Sequence, residues 1–424
     1  MASKIIEVLH DWSVDTNNIT CCCFDTTAAN TGHNDEAIVH LQSYFGKPLL
    51  WIACRHHIAE VILSHVFNKL EIENSTGPEI SIFTRFRQVF PLLSRTPELL
   101  NCIYSNAPQI VTREINLLTS LKSLLTKKFV SDDYREFLEL AIIFLERGDT
   151  YSSEYIFKCC GAIHKARWMA KAIYAMKMVL YKDELEKREI DYFEEGQYEK
   201  LVRFVMFILH FYVQYWIECP LSAKAPQNDL QLYKNLTHYR MVDEEVADAA
   251  IHGLKLQSWY LSEELVGLSL FDETLPVEVK SAVAESMLHF VPMSSRLPNR
   301  HGRAFGKPCS PEDISFTTQL CDLVGPNSSF FFKALNLSPD FLGEPSSDWP
   351  YIPCYMEGVA KIKSLNVIND AAERSVKMSS DFLSAAKIET RYQATLQVVE
   401  NNRMELPNLR AKKQIVSNWC SPSK

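Results

Sequence analysis

Two short apolar runs near the N-terminus constrain this chain more than any other feature. Ile19-Thr20-Cys21-Cys22-Cys23-Phe24 and Leu49-Leu50-Trp51-Ile52-Ala53 have the length and apolar continuity of buried strands. Each is preceded and followed by a segment of helical period. Residues 4–12 carry Ile5, Val8, Leu9 and Trp12 on one face. Residues 35–45, behind the N-capping type Asn34, carry Ile38, Leu41, Gln42 and Phe45. His57 to Leu70 carries Ile58, Val61, Ile62, His65 and Val66. Residues 1–70 therefore read as α-β-α-β-α. Asp25 closes the first strand, and Cys54-Arg55-His56-His57 follows the second. The crevice outside the carboxyl ends of strands is where open α/β sheets bind ligands.

Beyond this block the chain reads as helix. Glycine is scarce, with 13 in 424 residues, and from Pro78 to about Phe290 the apolar spacing is helical almost throughout. One segment is clear: Ser131 as cap, Asp132 and Asp133 in the first turn, an apolar face of Tyr134, Phe137, Leu138, Ala141, Phe144 and Leu145, and Gly148 as the stop. No fixed period recurs, which argues against a solenoid. Leu201 to Ile217 is the most apolar run, but Arg203, His210 and Gln214 interrupt it. It also falls short of the roughly 20 residues a membrane span needs, so it reads as a core helix and no membrane partner is expected. Two irregular stretches follow. Residues 291–314 combine four prolines with Arg296, Arg300, His301, Arg303 and Lys307. Residues 339–354 set four prolines around Trp349. A last helix is expected from Asp370 to about Asn402.

The net charge of −8 carries no global nucleic-acid signature, although a local basic patch remains open. The 12 cysteines form no disulfide pattern, and Cys21 to Cys23 sit in an apolar run as small hydrophobes. With no apolar leader after Met1, the reading is a reducing, intracellular compartment, with a nuclear location compatible.

The chemistry-bearing residues each have two readings. Asp25 is a metal-binding carboxylate or an Asx-type turn bonding the amides of Thr26 and Thr27; on the residues alone the turn is favoured. Cys54 and His57 have metal-ligand spacing, but zinc requires a second pair, and the nearest, Cys159-Cys160 with His164, lies about a hundred residues on. A packed thiol and a hydrogen-bonded imidazole are the weightier reading. Arg167-Trp168 is either part of a core stripe with Ala172, Ala175 and Met176 or a base-stacking ring with a phosphate-binding neighbour. Glu373 forms a capping box with Asp370 or offers a metal ligand on a first helical turn. The loop bearing Arg300, Arg303 and Lys307 is a solvated segment or a phosphate contact. There is no phosphate loop and no nucleophile elbow.

In order along the chain, these pieces resemble hAT-type transposases. Asp25-Thr26-Thr27-Ala28-Ala29-Asn30 followed by Cys54-Arg55-His56-His57-Ile58-Ala59-Glu60-Val61 resembles the second-aspartate and Cys-x-x-His segments of that family. Arg167-Trp168 is similar to its Arg-Trp signature, and Ala371-Ala372-Glu373-Arg374-Ser375 to its Ser-Glu-Arg segment. The resemblance implies an α/β, predominantly helical protein: a partial ribonuclease-H-like core interrupted by a large all-α insertion. Residues 1–75 would begin the core, 76–355 form the insertion, and 356–424 complete the core with a catalytic-type helix and a dimerisation-like tail. It also implies Mg2+ held by Asp25 and Glu373, with Asn30, Cys54 and His57 supporting the site. Arg167, Trp168, Arg300, Arg303 and Lys307 would face DNA. The family's first aspartate, on a three-stranded meander, has no counterpart in residues 1–18, and its zinc-binding DNA module is missing. The expectation is a domesticated, transposase-derived protein, inactive in strand transfer as this chain stands. Two other classes stay open. One is a helical scaffold for a protein partner or a second copy, presenting Trp349, Tyr351, Tyr355 and the terminal helix. The other is a non-catalytic nucleic-acid binder.

Overall fold

The structure, a computed structural model, describes residues 2–26, 37–73, 80–96, 111–127, 132–146, 155–160, 169–290 and 314–369. The chain is predominantly helical, with two strands among the described residues. The α-β-α-β-α order of the first 70 residues is observed: α1 Ala2–Asp11, β1 Cys21–Phe24, α2 Ala37–Phe45, β2 Leu50–Ala53 and α3 Arg55–Lys69. The strands are parallel, with Cys21 opposite Leu50 and Phe24 opposite Ala53. Parallel pairing requires a crossover, and α2 lies in that connection. Gly46, at φ 63°, ends α2 in the left-handed conformation that glycine adopts freely. Gln42 fixes the return to β2: its Oε1 accepts from the Leu49 N–H at 3.0 Å and from Trp51 Nε1 at 3.1 Å. Every residue of β2 is buried, as expected of a strand covered on both faces.

One apolar core runs from Phe24 in β1 to Val367 near the end of the described chain. The helices that build it are α4 Ser81–Val89, α5 Val111–Leu125, α6 Asp132–Leu145, α7 Ala170–Leu180, α8 Lys182–Lys187 and α9 Gln197–Phe207, then α10 Val213–Glu218, α11 Ala225–Tyr239 and α12 Glu244–Leu256. Shorter and later elements are α13 Glu263–Val266, α14 Val277–His289, α15 Phe330–Ala334 and α16 Pro353–Ser364. The expected core helix over Leu201–Ile217 is present as α9 and α10, joined without a break by a π-helical turn at Ile208–Tyr212. No helix of the described residues is long and apolar enough to cross a membrane. The expected helix over residues 132–145 is buried on nearly every side. Its Glu136 carboxylate meets the buried ammonium of Lys177 on α7 at 2.6 Å, and burial pushes Glu136 up against the pull of Lys177.

The apolar face of α1 is partly open: Val8 is 40% exposed and Ile5 36%. Ala2 and Ile6 of this helix pack against Ala37, Leu41 and Phe45 of α2. The aromatic residues assigned to an interaction surface also divide. Tyr351 is 86% exposed, but Trp349 is 1% exposed and Tyr355 is buried. The physical reason is an aromatic cluster. Trp349 packs edge-on to Phe341 at 4.9 Å and lies 5.4 Å from Tyr355, which stacks on Phe271 at 5.6 Å. The tryptophan's Nε1 donates to the Glu344 carbonyl at 2.9 Å. Gly358 admits this packing, because a Cβ there would come within 2.3 Å of Phe271. The irregular stretch at 339–354 is thus a pair of short 3-10 turns, Asp340–Gly343 and Trp349–Tyr351, folded around a buried indole.

Candidate functional site at the carboxyl ends of the strands

The chemistry-bearing residues of the described chain gather where β1 and β2 end. Asp25, half-buried, follows β1 directly. His57 lies on the first turn of α3, immediately beyond β2. Burial lowers its affinity for a proton and the Asp25 carboxylate opposes that effect, so the two groups sense one another across the strand ends. The net effect holds His57 below the usual histidine value, which favours the neutral imidazole at pH 7. Next to Asp25, Thr26 Oγ1 donates to Gln257 Oε1 at 2.7 Å, tying the end of β1 to the residue that follows α12.

Cys54 is buried and hydrogen-bonded. Its Sγ accepts from the Asn369 N–H at 3.1 Å and lies 3.9 Å from the Asn369 carbonyl. The side chain of Asn369 reaches across to β1, with Nδ2 donating to the Cys23 carbonyl at 3.2 Å. One residue on, the Arg55 N–H donates to the Val367 carbonyl at 2.9 Å. Residues 367–369 therefore lie against the ends of both strands, more than 300 residues downstream of them in sequence. Among the described residues no group of three or more His, Cys, Asp or Glu side chains is arranged to hold a metal ion. Asn30, Arg167, Trp168, Arg300, Arg303, Lys307 and Glu373 lie outside the described residues.

Sequence reasoning missed the network beneath the site. Arg55, fully buried, pairs with the fully buried Asp229 of α11 at 2.7 Å and donates to the Glu218 carbonyl at 3.3 Å. Its guanidinium lies 4.9 Å from the centre of the Tyr215 ring and 5.3 Å from that of Tyr260. Tyr215 donates its hydroxyl to the same Asp229 oxygen at 2.9 Å, while the Tyr260 hydroxyl donates to the carbonyl of Ala53, the last residue of β2, at 2.7 Å. Burial pushes the Asp229 carboxyl up, against the attraction of Arg55 and its two hydrogen bonds. Two neighbours of Arg55 on α3 serve the same junction. His56 stacks on Trp216 at 3.7 Å. Glu60 Oε1 accepts from the Tyr212 hydroxyl at 2.5 Å and from the Met169 N–H at 2.6 Å, which caps α7. The Cys-Arg-His-His run thus divides its labour. Cys54 and His57 face the strand ends, while Arg55 and His56 anchor α3 to the helices around α10 and α11. A signal was present for both halves of the buried pair: each is a charged residue set among apolar ones at helical spacing.

Chemically, the strand ends offer a half-buried carboxylate, a neutral imidazole beside it and a thiol already engaged by backbone. That inventory suits binding or metal support, with the Cys54 thiol held by the Asn369 backbone. No protein-family model, curated protein or solved structure matches this chain.

Proposed function

We propose that this chain is a transposase-derived protein, built on a ribonuclease-H-like core split by a helical insertion and inactive in DNA strand transfer as it stands. One observation carries the reading. Asn369 bonds both Cys54 and Cys23, so the chain returns to the carboxyl ends of the strands just before the segment that bears Glu373. Asp25 leaves the strand ends to which residues 367–369 return, and Glu373, the other carboxylate singled out by the hAT resemblance, follows Asn369 by four residues in sequence. The parallel β1-α2-β2 unit and the closeness of Asp25 to His57 support the same frame.

Asp25 and Glu373 are the residues that would hold Mg2+, and a bound metal there would activate water or a 3′-hydroxyl and stabilise the departing oxygen. The proposed inactivity rests on the ligand count. The resemblance supplies the second and third of the family's three carboxylates, and residues 2–18 form a helix and a 3-10 turn rather than the strand that would bear the first. Two carboxylates are a poor set for two divalent ions. DNA is accordingly the partner class for which the frame was built, and Arg300, Arg303 and Lys307 are the proposed phosphate contacts.

Supercoiled plasmid incubated with the protein and Mg2+ or Mn2+ tests this. We expect no nicking above the protein-free control, for the natural chain and for Asp25→Asn alike. Metal-dependent nicking that Asp25→Asn abolishes would overturn the claim of inactivity while upholding the descent. Nicking that Asp25→Asn leaves untouched would count against the site itself.

A further inference from the structure

We infer that His65 of α3 and His252 of α12 form a two-imidazole site for a borderline divalent ion of the zinc and nickel class, clipping the two helices together. The rings stand 5.1 Å apart, centre to centre, with their planes at 79°. A metal–nitrogen bond is about 2.1 Å, and the ring centre lies about 1.1 Å further on. Two imidazoles on one ion then have centres about 4.5 Å apart at a right angle and about 5.2 Å apart at the tetrahedral angle. The observed spacing falls inside that window before any ion is bound.

The position is also fixed. α3 packs along α12 more extensively than any other helix pair among the described residues. Gly253 is what allows the approach: a Cβ there would come within 3.0 Å of His65 Cδ2 and 3.1 Å of the Ile62 Cα. The His65 ring thus lies over a glycine in a tight helix crossing. His252, on the adjacent position, is exposed.

The nearby charges are already matched. Lys69 on α3 faces Glu245 on α12 at 3.9 Å, Glu245 also meets Arg203 at 2.8 Å, and Asp248 pairs with Arg240 at 2.6 Å. The two histidines therefore supply the protein ligands, and water completes the shell. Imidazole nitrogen selects zinc, nickel and copper over magnesium or calcium, so this site is chemically separate from the carboxylates at the strand ends.

The test is calorimetric titration of Ni2+ into the full chain at pH 7.5 with a non-chelating reductant, repeated for His65→Asn and His252→Asn. Both variants are expected to lose one equivalent of Ni2+ binding, with affinity at that site down at least tenfold. Ni2+ at a hundredfold excess over its dissociation constant should raise the unfolding temperature of the natural chain by about 3 °C and leave both variants unmoved. Because His252 is exposed, its variant can be read even if His65→Asn folds poorly. No Ni2+ binding by the natural chain, or an unchanged stoichiometry and affinity in the variants, would overturn the inference.

Discussion

Arg55→Ala is expected to lower the free energy of unfolding by about 3–5 kcal/mol, because it strands the Asp229 carboxylate in the core with one tyrosine hydroxyl as its partner. The size of the loss reports the burial of Asp229 as much as the value of the ion pair. A second variant separates the two. Arg55→Met with Asp229→Leu removes both charges and fills most of the volume, and it should come within about 1 kcal/mol of the natural chain. Urea unfolding at pH 7 measures both. The pH dependence has a definite sign. With Arg55 gone, burial acts on Asp229 against the Tyr215 hydrogen bond alone, and its folded carboxyl binds protons more tightly than in the unfolded chain. The favourable contribution of its protonated form is complete below the unfolded value, near 3.8, and is lost as pH rises through the higher folded value. The deficit of Arg55→Ala should therefore shrink in acid. A loss under about 1 kcal/mol at pH 7 would mean that the pair is not buried as described.

Trp349→Ala should cost about 3–5 kcal/mol by the same measurement, the range for removing a large aromatic side chain from a packed interior. The indole is 1% exposed, touches Phe341 and Tyr355, and satisfies the Glu344 carbonyl. If the side chain were instead a surface anchor for a partner, its removal would fall within about 0.5 kcal/mol of neutral. Tyr351→Ala provides the contrast two residues away. At 86% exposure its loss should be nearly silent in the isolated protein. The pair of variants tests where the division between core and surface runs through this proline-rich stretch.

The two halves of the molecule differ in how far the sequence discloses them. The β1-α2-β2-α3 unit is legible because its signals are local: two continuous apolar runs, helical spacing between them, and polar residues at the ends. The long helical path is legible for the same reason, down to the buried run at Leu201–Ile217. What escapes is everything set by contacts distant in sequence. Arg55 and Asp229 are separated by 174 residues, and neither neighbourhood names the other. Asn369 is an ordinary polar residue until the chain folds back 315 residues to meet Cys54. Exposure misleads in the opposite direction. The periodicity of α1 states only that one face is apolar, and Val8 remains open. Trp349 lies among prolines and polar residues, surroundings typical of a surface loop, yet the aromatic cluster of the C-terminal helices encloses it. At the candidate site, Asp25 and His57 are legible as a strand-end pair, while the segment that joins them to the C-terminal part of the chain is visible only in three dimensions.

That junction bears most directly on the central claim, which is that Asp25 and Glu373 belong to one site. The decisive quantity is the separation of their carboxylates in crystals grown with Mn2+, whose anomalous signal also marks any bound ion. A shared site predicts carboxylates on the order of 4–7 Å apart, with a weak ion bound between them. Carboxylates separated by more than about twice that distance, or Mn2+ bound at Asp25 without Glu373, would contradict it.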